Sequence, residues 1–157
     1  MPKIDEDGLF RSTARPAFDF LVTEFGYAGP TDQESELTYD SADGLTAVSV
    51  LLVWNQWDIH VTVRRIIDGN WRKFDLVELY KACKLGPAQD IRNQVRGFAQ
   101  IAEPVGSTAA ALRKVMPFLQ GSAGAEFLAK RIEQREQEWQ RAKEQRFDKG
   151  RPIRPDR

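Results

Sequence analysis

One cysteine and one histidine stand among 157 residues. A single cysteine excludes an internal disulfide and any cysteine-built metal cluster, and a single histidine excludes the common multi-histidine sites. No metal or other cofactor is therefore expected. Excess charge of either sign is missing too: 23 Lys and Arg balance 23 Asp and Glu. That balance leaves no global field to draw nucleic acid or an anionic membrane. No apolar run approaches the length needed to span a bilayer. The opening MPKIDEDGLF is acidic and polar, unlike a secretory leader. GSAGAEF at 121–127 is not a phosphate loop, because it lacks the lysine and the preceding strand. What remains is the default of a cytoplasmic protein.

The residues that are present suit an ordinary globule: 41% are hydrophobic and 29% charged, enough apolar surface for one core. The stretch that organises the rest is TAVSVLLVWNQWDIHVTVRRII, residues 46–67. Folded as a hairpin about Asn55-Gln56, it pairs Trp54 with Trp57, Leu52 with Ile59, Val50 with Val61 and Val48 with Val63 on one side. The other side then pairs Val53 with Asp58, Leu51 with His60, Ser49 with Thr62 and Ala47 with Arg64. Slipping by one residue would mix the two sets. A third strand joins through Asp43-Gly44, a strong turn signal, with Tyr39 beside Val48 and Leu37 beside Val50. The expectation is a three-stranded antiparallel meander, apolar on one face and mostly polar on the other.

Helices should cover the apolar face. Phe18, Leu21, Val22 and Phe25 make one helical stripe, with Thr13 as its cap, Pro16 in the first turn and Gly26 as its stop. Asp75 can cap a second helix and Glu78 can complete its capping box; that helix carries Leu76, Leu79, Tyr80 and Cys83, and Gly86-Pro87 ends it. Trp71 is expected to pack over the sheet edge or the start of that helix. From Ile91 to Leu119 apolar residues recur every three or four positions, in phase across Pro104. Two nearly collinear helices kinked there are expected, with a clean break capped by Ser107 as the alternative. Residues 125–147 form a last helix, mostly charged, with a thin seam of Leu128, Ile132, Trp139 and Ala142 that would suit a homodimer.

The fold class is thus α+β. A flexible arm (1–12) precedes a single domain (13–120), a charged C-terminal helix (121–148) and a disordered tail (149–157). The expected core is Phe18, Leu21, Val22, Phe25, Tyr39, Val48, Val50, Leu52, Ile59, Val61, Val63, Leu76, Leu79, Tyr80, Val95 and Phe98.

Candidate chemistry is sparse. His60 with Asp58, Thr62 and Arg64 resembles a site, since a histidine beside a carboxylate can do acid–base work. Yet residues two apart on a strand lie side by side and converge on no pocket. Cys83 falls on a buried stripe. Arg92, Arg96, Arg113, Lys114, Lys130, Arg131 and Arg135 put some positive charge on the later helices, but interleaved acids dilute it. A small enzyme or nucleic-acid module built on His60 and these arginines is the alternative reading. The preferred one is a protein-recognition patch on the polar sheet face. There Leu51 and Val53 form an apolar centre ringed by Asp40, Asp58, His60 and Arg64. Cover by the chain's own C-terminal helix is the competing arrangement.

FDFLVTEFGY (18–27), a polar loop, and then SELTYDS, TAVSVLLVW and DIHVTVRRI together resemble small bacterial immunity-type proteins. Those proteins neutralise toxins of polymorphic and contact-dependent systems. The resemblance covers roughly residues 15–85. It implies no catalysis, but direct binding and occlusion of a cognate toxin domain.

Overall fold

A computed structural model describes residues 6–53 and 55–148. The chain divides into two compact units, Met1–Phe118 and Leu119–Arg157. The first is α+β. Its helices are α1 (Glu6–Phe18), α2 (Phe20–Thr23), α3 (Leu76–Ala82) and α4 (Ala102–Val115). Its strands are β1 (Ala28–Gln33), β2 (Glu36–Asp40), β3 (Thr46–Val53), β4 (Asp58–Ile67) and β5 (Asn70–Asp75). The strands form one antiparallel meander in the order β1-β2-β3-β4-β5.

The central register is the one the alternation dictates. Val53 pairs with Asp58, Leu52 with Ile59, Leu51 with His60, and so on to Ala47 with Arg64. Tyr39 pairs with Val48 and Leu37 with Val50. The expected Trp54–Trp57 pair lies outside the described residues. The β2–β3 connection is fixed by its own side chains. Ser41 Oγ donates to Asp43 Oδ1 at 2.6 Å, and the Leu45 amide donates to the same oxygen at 3.0 Å. These bonds, the Ser41 one foremost, hold the Asp43 carboxyl below its ordinary range.

Three strands become five. Asp68 and Gly69 both take positive φ, 53° and 81°, as a two-residue type I′ turn needs, and β5 returns along β4 from Ile67↔Asn70 to Thr62↔Asp75. β1 occupies the stretch expected to be a loop. It pairs with β2 around a register shift between Ala28 and Thr31, and α1 holds it through Arg15–Asp32 and Arg11 to the Glu34 carbonyl.

Helix α1 is a correction. Residues 6–12, expected in the loose arm, are its first turns, because Phe10, Ala14 and Phe18 at four-residue spacing extend the buried stripe backward. Pro16 lies inside the helix near its end, not in a first turn capped by Thr13. α2 resumes at Phe20, and Gly26 beyond it has φ 71°, the left-handed stop that was expected. Val22 and Phe25 are only half-buried.

The stripe after Ile91 is a second correction. Ile91–Gln100 is not a helix. It runs irregularly, preceded by a 3-10 turn at Ala88–Asp90 and ending in another at Phe98–Gln100. α4 starts at Ala102, which puts Pro104 third in its first turn, where a missing N–H costs nothing. Ser107 caps no helix; its Oγ accepts from the Arg92 amide at 2.8 Å. That bond, and Arg92 to Glu103 at 3.1 Å, tether the irregular segment to α4. Tyr80 of α3 donates to Asp90 at 3.0 Å. Gly86 lies beside it, where an added Cβ would sit 2.2 Å from the Asp90 carboxylate and displace it.

α1, α3 and α4 pack on the apolar side of the sheet. There Leu37, Tyr39, Val48, Val50, Leu52, Ile59, Val61, Val63 and Phe74 are buried, with Phe10, Phe18, Leu21, Leu79, Val105 and Leu112 from the helices. Each such side chain contributes about 1.5–3 kcal/mol of burial. Leu76, Tyr80 and Val95 are buried as expected; the side chain of Phe98 lies outside the described set. The second unit contains α5 (Gly121–Asp148), a long helix whose Trp139 is 62% exposed with Lys143 Nζ 5.1 Å from its ring centre. No helix is long and apolar enough to cross a membrane among the described residues.

Candidate functional site

Side chains alternate along each strand, so the residues between the core positions share the other face. The registers arrange them in rows across the sheet. Gln33, Glu36, Leu51 and His60 form one row. Thr31, Thr38, Ser49, Thr62 and Asp75 form the next. Asp40, Ala47, Arg64 and Lys73 follow. Val53 and Asp58 close one end of the face. At the other end Ile66 lies opposite Trp71, and the Ile66 amide donates to the Leu45 carbonyl at 2.9 Å.

All six residues expected to bind a partner lie on this face. Leu51, Val53, Asp58 and His60 are half-buried, while Asp40 and Arg64 are exposed. Leu51 and Val53 are neighbours along β3, with Asp58 and His60 directly across on β4. His60 Nε2 lies 3.6 Å from Asp58 Oδ2, an ion pair only when the imidazole is protonated. Asp40 is separated from this group by Ala47 and Arg64 by Thr62, so the six make a loose patch and not a pocket. Ala47 and Ser49, short residues in the middle of the face, are buried.

The outer side of β4 at this end is closed by the irregular segment. The Ile59 amide donates to the Asn93 carbonyl at 2.8 Å, and the Val95 amide to the Trp57 carbonyl at 2.7 Å. A polar depression lies beside it, lined by Asp58, Asn93, Gln94, Arg92 and Arg96 among others. With Arg92 already bonded to Glu103, it offers mixed polarity without a fixed reacting group. Cys83 is half-buried, and burial pushes its thiol up to about 11, away from nucleophilic use.

Leu45, Ile66, Trp71 and Lys73 were not anticipated on this face. Leu45 is 40% exposed and Trp71 53%, so the row Leu45–Ile66–Trp71 is an apolar edge in water. The signal for it was Asp68-Gly69, which is hairpin chemistry and not only a strand end.

No protein-family model matches the chain, and no curated protein and no solved structure matches it.

Proposed function

We propose that this protein works without catalysis, by binding another protein through the polar face of its sheet. The observation that supports this is the face itself: a part-exposed apolar centre, Leu51 and Val53, with Asp58, His60 and Arg64 around it. An apolar centre with a charged rim is the composition of a recognition patch. The immunity-type resemblance of residues 15–85 suggests the partner, a bacterial toxin domain that the protein occludes. Charges at the rim would steer and select it, and the apolar centre would supply much of the affinity.

Capture of partners from the native cell, with the wild type and Arg64→Glu in parallel, tests the reading. The expected result is one partner lost by Arg64→Glu, whose activity the purified wild type titrates at equal stoichiometry. A partner retained by both Arg64→Glu and Leu51→Ala, or one whose activity the protein leaves untouched, would end it.

A further inference from the structure

We propose that the partner-binding surface crosses from β4 onto residues 92–96, where Arg96 takes a carboxylate side chain of the partner. This deepens the protein-binding reading and rests on it. The partner would carry an acidic residue close to the apolar one that meets Leu51 and Val53.

The segment after Ile91 continues the sheet for one position. Gln94 lies across from Asp58 in the antiparallel sense. The flanking bonds run from the Ile59 amide to the Asn93 carbonyl and from the Val95 amide to the Trp57 carbonyl. Asp58 and Gln94 are therefore a non-hydrogen-bonded pair, whose side chains stand close together on one face. Gln94 thus extends the face that holds Val53 and Asp58. Burial alternates about it: Ile91 and Val95 are buried, whereas Arg92, Gln94 and Arg96 are exposed. Val53, Asp58 and Gln94 make one row, with neighbours about 5 Å apart. The depression beside that row is about 490 Å³ and is lined by Arg96 as well as by Asp58 and Gln94.

The charges in the depression are matched unequally. Arg92 is bonded to Glu103 at 3.1 Å, and Asp58 faces His60 across 3.6 Å. Arg96 makes no ion pair among the described residues. It stands with the side-chain amides of Asn93, Gln94 and Gln100 around the same hollow. A guanidinium holds a carboxylate through two parallel N–H donors, and a neighbouring amide can add a third. A polyanion suits the hollow less, because Asp58 and Glu103 also line it and repel a second negative charge. Area points the same way. A standard interface takes about 800 Å² and about 20–30 residues from each partner, far beyond the six patch residues. Asp58 belongs to both the patch and the depression, so the surface is continuous in that direction.

The test uses the full chain and two end-blocked tripeptides, one glutamate or one lysine followed by two leucines, with inorganic phosphate as a third probe. Binding is followed by amide and methyl resonances. The glutamate peptide should shift Gln94 and Arg96 together with the methyls of Leu51 and Val53. The lysine peptide should bind about threefold weaker or more. Arg96→Gln should erase that preference while the melting temperature holds, since the side chain is exposed. Equal binding of the two peptides to the wild type, or no shift at Gln94 and Arg96, overturns the carboxylate site. Inorganic phosphate bound at Arg96 more tightly than the glutamate peptide overturns the choice of occupant. The partner captured by the wild type gives a second readout, and Arg96→Glu should weaken it about tenfold or more. A partner held equally by Arg96→Glu and the wild type, yet lost by Leu51→Ala, overturns the extension and leaves the protein-binding reading standing.

Discussion

Leu51 and Leu52 are adjacent in β3 and fall on opposite sides of the sheet. Leu52 is buried against Ile59, and Leu51 lies half-exposed across from His60. The same truncation should therefore cost different amounts. Leu52→Ala removes a fully packed side chain, with an expected loss of about 2–5 kcal/mol. Leu51→Ala should cost under about 1 kcal/mol, and should act on partner binding instead. Urea unfolding of the two variants decides it. A Leu51→Ala loss as large as that of Leu52→Ala would show the face to be covered.

Val50 sits at the centre of the helix-covered face, with Leu37 on one side and Val61 on the other. Val50→Asp would bury a carboxylate with no partner. The cost, several kcal/mol, is about the whole stability of a domain this size. The expected outcome is a chain with no cooperative melt by circular dichroism. A soluble variant that melts cooperatively would mean the apolar face is wrongly drawn.

The β2–β3–β4 register was legible because Val48, Val50, Leu52, Ile59, Val61 and Val63 alternate without exception. A buried face leaves no second way to pair them. β5 was less legible: Trp71 faces outward, so NWRKFD shows no alternation, and only Asp68-Gly69 announced a hairpin. β1, AGPTDQ, is almost wholly exposed at a sheet edge and carries no apolar pattern to read. Residues 91–100 misled for the opposite reason, while the same rhythm from Ala102 onward is helix α4. Ile91 and Val95 are buried, and burial alone maintained a helical rhythm through a segment that is not α-helical. Leu51, Val53, Asp58, His60, Arg64 and Asp40 could be placed on one face because the alternation dictates the register. The Leu45–Ile66–Trp71 row was missed because it needs β5.

Ser107 offers a test of how the irregular segment is held. Its Oγ accepts from the Arg92 amide, one residue before the carbonyl of Asn93 that closes β4. Ser107→Ala should cost about 0.5–1.5 kcal/mol, the net worth of one hydrogen bond. The loss should concentrate locally, with faster amide exchange at Arg92 and Ile59 and little change at Val48 or Val50. Uniformly faster exchange across the sheet would argue that this tether is part of global stability.

Tyr39 gives the last prediction, which is a pH dependence. Its side chain is buried in the core, and its hydroxyl has no hydrogen-bond partner among the described residues. Burial, with Asp19 adding to it and Arg15 opposing, pushes its pKa from 10.0 up to about 12. A raised folded value means that the native state holds the proton more tightly than the unfolded chain does. The associated stability is complete below the unfolded pKa near 10, and is lost as pH climbs toward 12. Cys83, raised from 9.0 to about 11 by burial, acts in the same direction over a window one unit lower. Tyr27 and Tyr80 are also raised, each first by burial. Tyr39→Phe removes a buried polar atom that gains nothing in return, so stability at neutral pH should hold or rise. Its urea midpoint should then fall less steeply than the wild type between about pH 10 and 12, most clearly in a Cys83→Ala background. A variant that loses stability at neutral pH would show that the Tyr39 hydroxyl has a partner after all, and parallel alkaline limbs would remove it as the titrating group.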